Sequence, residues 1–136
     1  MPEAAPTSFA KPRHESWEGL PREVVRRGVE RVGFRGEQVL LVMNWLEPGM
    51  EVNPHSHPFE QIAYIVQGRI RFTIEDEVYE VGAGEVIHIP ANAVHCGEPI
   101  GDEICMNLDI FSPIRTDYLH LVERQAADFG LPEAAE

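Results

Sequence analysis

Short runs rich in β-branched and aromatic residues, cut at regular spacing by turn residues, limit what this chain can become. Val39 to Leu46, His57 to Val66, Arg69 to Ile74, Val78 to Val81, Glu85 to Ile89 and Glu103 to Phe111 read as strands; Met50 to His55 leads into the second of them, and His95 opens another after Ile89. Between them stand turn signals: Pro48-Gly49, Gln67-Gly68, Asp76-Glu77, Gly82-Ala83-Gly84 and Pro90. Val24, Val25, Val29 and Val32 begin the β pattern, and Phe34-Arg35-Gly36-Glu37 reads as a hairpin turn. Short strands at such spacing predict an all-β sandwich or barrel, and with no internal repeat a single one. Asp117 to Phe129 departs from the pattern: Tyr118, Leu121 and Val122 have helical spacing and predict a short C-terminal helix. Residues 1 to about 15 are rich in Pro and Ala and predict a mobile arm, tied down by Phe9 and Trp17. The expected organisation is an arm over 1–20, a barrel over 21–116, and a helix and tail over 117–136.

The 136 residues suffice for one domain with a real core. A net charge of −12 argues against a nucleic-acid partner, which would need a basic stripe. The only positive cluster, Arg22, Arg26, Arg27 and Arg31, reads as a solvated strand face or as a docking patch for an acidic carrier protein. No apolar run approaches the roughly 20 residues of a membrane span, and Met1 to Arg13 has no apolar core of a secretory signal. Two cysteines, Cys96 and Cys105, are too few for a disulfide framework and are expected as reduced thiols of a cytoplasmic protein.

The chemistry concentrates at His55-Ser56-His57, Gln61 and His95. Histidines at i and i+2 of a strand point the same way, and Gln61 keeps that parity. Imidazoles gathered inside a barrel need partners, and a divalent metal ion is the simplest one.

These residues resemble the cupin superfamily. Its first motif matches Gly49, five residues, His55-Ser56-His57, three residues, Gln61, six residues and Gly68. Its second matches Gly84, five residues, Pro90, Ala91, Asn92, two residues and His95. The resemblance implies a single jelly-roll barrel with a metal held by His55, His57, His95 and position 61, and commonly a homodimer. Gln61 stands where most members carry glutamate, Asn92 where the motif has a turn glycine, and Pro99 where it ends in asparagine. An amide ligand leaves a divalent ion its full charge, which favours polarising a carbonyl over dioxygen chemistry. Zinc is the expected ion, with Fe2+ and Ni2+ as alternatives.

His88, two residues before Pro90, reads as a further ligand, a general base beside the metal, or a hydrogen-bonded core residue. Asp109 shares one strand face with Cys105, Asn107 and Phe111; facing inward it is a proton shuttle, and otherwise a partner of Arg115. Trp45, Phe59 and Phe111, with Met43 and Met106, either line a substrate cavity or form ordinary core. Two groups of cupins resemble this set. Single-domain cyclases of aromatic polyketide pathways hold zinc with several histidines and a glutamine, which implies ring closure of a poly-β-ketone presented by a carrier protein. Cupins that process unsaturated uronates share the His55 to Gln61 run and place active-site residues at Asp109, Phe111 and Arg115, with Arg115 gripping the substrate carboxylate. A dioxygenase and a non-catalytic small-molecule-binding barrel are the remaining alternatives.

Overall fold

The computed structural model describes residues 12–126. Among these residues nine strands form two antiparallel sheets: β1 (Glu23–Arg26), β2 (Val29–Arg35), β3 (Leu40–Leu46), β4 (Gln61–Gln67), β5 (Arg69–Ile74), β6 (Glu77–Gly82), β7 (Val86–Ile89), β8 (His95–Pro99) and β9 (Cys105–Phe111). The larger sheet runs β1-β2-β3-β9-β4-β7 and the smaller β6-β5-β8. The fold is the expected all-β jelly roll with a short C-terminal helix. The late strand β9 inserts between β3 and β4, so that Asp109 lies between Val42 and Ala63, and Asn107 between Asn44 and Ile65. This insertion builds the site, because it sets a polar face from the end of the chain against residues from its middle.

Alternation decides which side chains face the interior. On β4, Gln61, Ala63 and Ile65 are buried, while Ile62, Tyr64 and Val66 are exposed. Val29, Leu46, Met50, Ile65, Ile70, Phe72 and Cys105 form the core between the sheets. Each fully buried Leu, Ile or Phe there contributes on the order of 1.5–3 kcal/mol. β3 is covered on both faces: Leu40, Val42 and Phe111 pack on one, while Met43 and Trp45 join Val32 on the other, beneath Trp17 and Leu20. Trp17 thus anchors the arm as expected; Phe9 and the part of the expected mobile arm before Pro12 lie outside the described residues.

Three elements differ from the sequence reading. The strand expected from His57 begins only at Gln61, because Pro54 and Pro58 interrupt the run and leave His55 in an isolated bridge to His95. The tip between β5 and β6 falls at Glu75-Asp76, one residue early, with Glu75 left-handed at φ 53°. The expected helix from Asp117 is a 3-10 segment, Thr116–Leu121, followed by one α turn, α1 (Glu123–Ala126); Phe129 lies outside the described residues. Tyr118 and Leu121 are three apart, a spacing that a 3-10 turn satisfies as well as an α-helix. Val122 then seals the end of the barrel against Leu40, Val42 and Phe111. Gly33 permits this, since a Cβ there would sit 2.9 Å from a Val122 methyl.

The arginine cluster is largely paired within the fold. Arg22 meets Glu18 and Glu30, and Arg31 meets Glu23. Arg26 and Arg27 donate to the carbonyls of Glu51 and Gly49. No helix among the described residues is long and apolar enough to cross a membrane.

Candidate metal centre and the cavity around it

The two histidine segments are zipped together by backbone. His55 and His95 exchange N–H···O bonds of 3.0 and 2.8 Å, and Asn92 N–H donates to the His57 carbonyl at 2.7 Å. Asn92 is left-handed at φ 70°, a conformation that Asn tolerates better than other side chains, so the loss of the turn glycine costs little.

Each imidazole is also held by its Nδ1. That atom lies 2.7 Å from the Asn53 carbonyl in His55, 2.8 Å from the Phe59 carbonyl in His57 and 2.9 Å from the Ala93 carbonyl in His95. A carbonyl can only accept, so Nδ1 carries the proton and Nε2 presents a lone pair. One ring nitrogen from each histidine lies within 4.8 Å of the others. The Nε2 atoms of His57 and His95 are buried and have no hydrogen-bond partner. Burial lowers the pKa of both rings, and the Arg115 cation lowers that of His57 further. Neutral imidazoles with fixed tautomers and convergent, unsatisfied lone pairs are what a divalent metal requires. His55, His57 and His95 are therefore positioned to bind a metal ion, as expected.

Gln61 lies beside them, 6% exposed, and its Nε2 donates to Asp109 Oδ1 at 2.8 Å. Asp109 also accepts from Asn107 Nδ2 at 2.8 Å and from Asn44 Nδ2 at 3.0 Å. Burial raises the Asp109 pKa to about 6, against the pull of those three amides and of Arg115. The carboxylate thus faces inward, and its hydrogen bonds go to amides. Arg115 instead closes a two-point ion pair with Asp117, through Nε at 3.0 Å and Nη2 at 2.6 Å. Its guanidinium also sits 3.8 Å from the Tyr118 ring centre, 4.8 Å from Phe111 and 5.2 Å from Phe59. The pair with Asp117 takes up the Nε–Nη2 edge of the guanidinium.

His55, His95, Gln61, Asn44, Asn107 and Asp109 form the polar end of a cavity of about 230 Å³. Val29, Leu46, Met50, Ile70 and Phe72 give its apolar walls, and Arg26, Arg31 and Arg115 also line it.

The expected roles of His88, Trp45, Phe59 and Phe111 are corrected here. His88 is neither ligand nor base for this site: β7 pairs Ile89 with Gln61 and His88 with Ile62, so His88 shares the outer face. Its side chain is 54% exposed and its Nε2 lies 2.8 Å from Glu60. Trp45 is not in the cavity either. Its neighbours Asn44 and Leu46 face inward, while Trp45 pairs with Met106 on the outer face, under the Arg22 guanidinium at 3.6 Å. Phe111 and Phe59 back the site rather than line it: Phe111 meets the His57 ring edge-on at 6.2 Å, and Phe59 lies 6.4 Å from it. Asn44 escaped the sequence reading, although one polar residue inside the apolar run Leu40 to Leu46 was a visible signal. Cys96 and Cys105 are both free, and burial pushes the Cys105 thiol up to about 12.

Comparison with known proteins agrees with this geometry. The family model described as Cupin domain matches residues 45–111. Polyketide synthase CurC of Streptomyces cyaneus is 29% identical over 83 residues, which are 60% of this chain and 50% of that protein. The chain therefore spans about half the length of that relative. An RmlC-like cupin from Shewanella frigidimarina superposes with a TM-score of 0.70 at 22% identity, over 79% of this chain and 96% of its own. KdgF from a Halomonas species does so with a TM-score of 0.66 at 25% identity, over 74% and 94%.

Proposed function

Because the chain belongs to the cupin superfamily, we propose that it is a metal-dependent enzyme that closes a carbon ring in a linear poly-β-ketone. The observation that carries this reading is the meeting of three tautomer-locked imidazoles, one carboxamide and one inward carboxylate at the end of an apolar-walled cavity. A divalent cation held by His55, His57, His95 and Gln61, zinc in this proposal, would supply carbonyl polarisation, which acidifies the carbon next to that carbonyl. Asp109 takes the proton from that carbon. The carbon then bonds to a second carbonyl carbon, whose oxygen receives the proton and becomes a hydroxyl; that hydroxyl leaves as water together with a second hydrogen from the newly bonded carbon, and a carbon–carbon double bond forms. A pKa near 6 suits Asp109 to both transfers. Val29, Leu46, Met50, Ile70 and Phe72 fold the ketone and exclude water, so that one carbon meets one carbonyl. Arg115 adds fixed positive charge where negative charge develops. The similarity to a polyketide synthase supports the substrate class. Within the same proposal the substrate arrives on an acidic carrier protein, and the enzyme is a cytoplasmic homodimer.

A second reading has its own support. Arg26 and Arg31 line the cavity together with Arg115, which favours a substrate bearing a carboxylate, such as an unsaturated uronate converted to its linear keto form. Zinc-loaded protein offered a synthetic poly-β-ketone thioester and an unsaturated uronate in parallel separates the two. Mass spectrometry should show dehydrated cyclic product from the thioester, lost on chelation and in His57→Ala. Turnover that survives verified removal of metal refutes the mechanism.

A further inference from the structure

We propose that Asp109 is a positioning residue: it holds the Gln61 carboxamide by its N–H end, turning the oxygen to the imidazoles, and so determines that position 61 carries an amide. The inference rests on the metal-centre reading above and extends it to the choice of ligand.

Three side-chain amides converge on this one carboxylate. Gln61 and Asn107 donate to Oδ1, both at 2.8 Å, and Asn44 donates to Oδ2 at 3.0 Å. They come from β4, β9 and β3, which are neighbours in one sheet, so the arrangement is fixed by strand register. A carboxylate can only accept, and each amide must present nitrogen to it. Reversing the Gln61 amide would set two acceptor oxygens 2.8 Å apart with no proton between them, so the hydrogen-bond network dictates its orientation. With the nitrogen spent on Asp109, the Gln61 oxygen is the atom left for the neighbouring lone pairs' shared ion.

Asn107 shows the same force at work where no ligand role is involved. Its nitrogen is turned to Asp109, and its oxygen is left buried without a partner. A free amide would turn to avoid that loss, and Asp109 prevents it. The same geometry accounts for Gln rather than Glu at position 61. A glutamate there would put an anionic oxygen against Asp109 at hydrogen-bond distance in a desolvated site. The negative charge of the usual ligand has in effect moved one side chain outward, from position 61 to position 109, leaving a neutral set of ligands.

A cycle of zinc affinities, measured by chelator competition on the full chain, tests this with Asp109→Asn, Gln61→Glu and the double variant. Loss of a residue that orients a ligand typically costs about 10–100-fold in metal affinity, and Asp109→Asn should lose that much. Gln61→Glu should weaken zinc binding when Asp109 is present. In the Asp109→Asn background it should strengthen binding, because the introduced amide can donate to the glutamate. Recovery in the double variant excludes unfolding as the cause of the single loss. If Gln61→Glu acts in the same direction in both backgrounds, or Asp109→Asn binds zinc as the parent does, the positioning role is overturned. A parent protein that binds no zinc overturns the metal centre itself, and that result precedes every variant.

Discussion

Zinc should raise the stability of this protein through the histidine triad, and the size of the effect follows from the geometry. Two buried Nε2 atoms have no partner, and leaving a buried polar group unsatisfied costs about 1–3 kcal/mol each. An ion that engages them in the folded state alone adds about 2.7 kcal/mol at a free concentration one hundred times its dissociation constant. For a chain of this size that corresponds to a rise in Tm of about 10 °C. The assay is differential scanning calorimetry of chelator-treated, dialysed protein with and without zinc at pH 7.5. At that pH the lowered pKa values of His57 and His95 leave both rings neutral, with no proton to displace. His95→Ala should abolish the shift. His88→Ala should keep all of it, since His88 stands on the outer face against Glu60. A rise that persists in His95→Ala would place the zinc on the acidic surface and refute the reasoning, as would no rise in the parent protein.

Chelator-treated protein should lose stability as pH falls below about 6.5, measured as the urea midpoint against pH. His57 and His95 have folded pKa values below that of the unfolded chain, so the unfolded state binds more protons there; Asp109, raised to about 6, offsets part of this in the folded state. With two rings acting against one carboxyl, the loss on acidification dominates, and a flat or rising midpoint would contradict these signs. Phe111→Ala removes a side chain 1% exposed and should cost about 3–5 kcal/mol of unfolding free energy, while loosening zinc by withdrawing the ring that backs His57. Trp45→Ala should destabilise the fold yet leave KM unchanged, because Trp45 lies on the side of β3 away from the cavity; a raised KM in steady-state assays would place it in the substrate site.

The fold and the three histidines of the candidate metal centre were legible because both rest on local pattern. Turn residues between short apolar runs limit the chain to a sheet architecture, and the close spacing of His55, His57 and Gln61 marks the site within one short segment. The errors fall where two segments must be aligned. His88 reads as an inner residue until the pairing of Ile89 with Gln61 is known, and a slip of one residue reverses every side chain on β7. Trp45 stands in a strand covered on both faces, and such a strand reads as a continuous apolar run whose parity cannot be assigned. The 3-10 segment shares its three-residue spacing with an α-helix. Asp109 marks the boundary most clearly. Its inward face follows from alternation along β9, but its partners are amides on β3, β4 and β9 that meet only because the last strand inserts between two earlier ones. Chemistry carried within one segment is therefore readable from that segment. Chemistry assembled across sheet register, which here decides how the Gln61 amide is oriented, needs the structure.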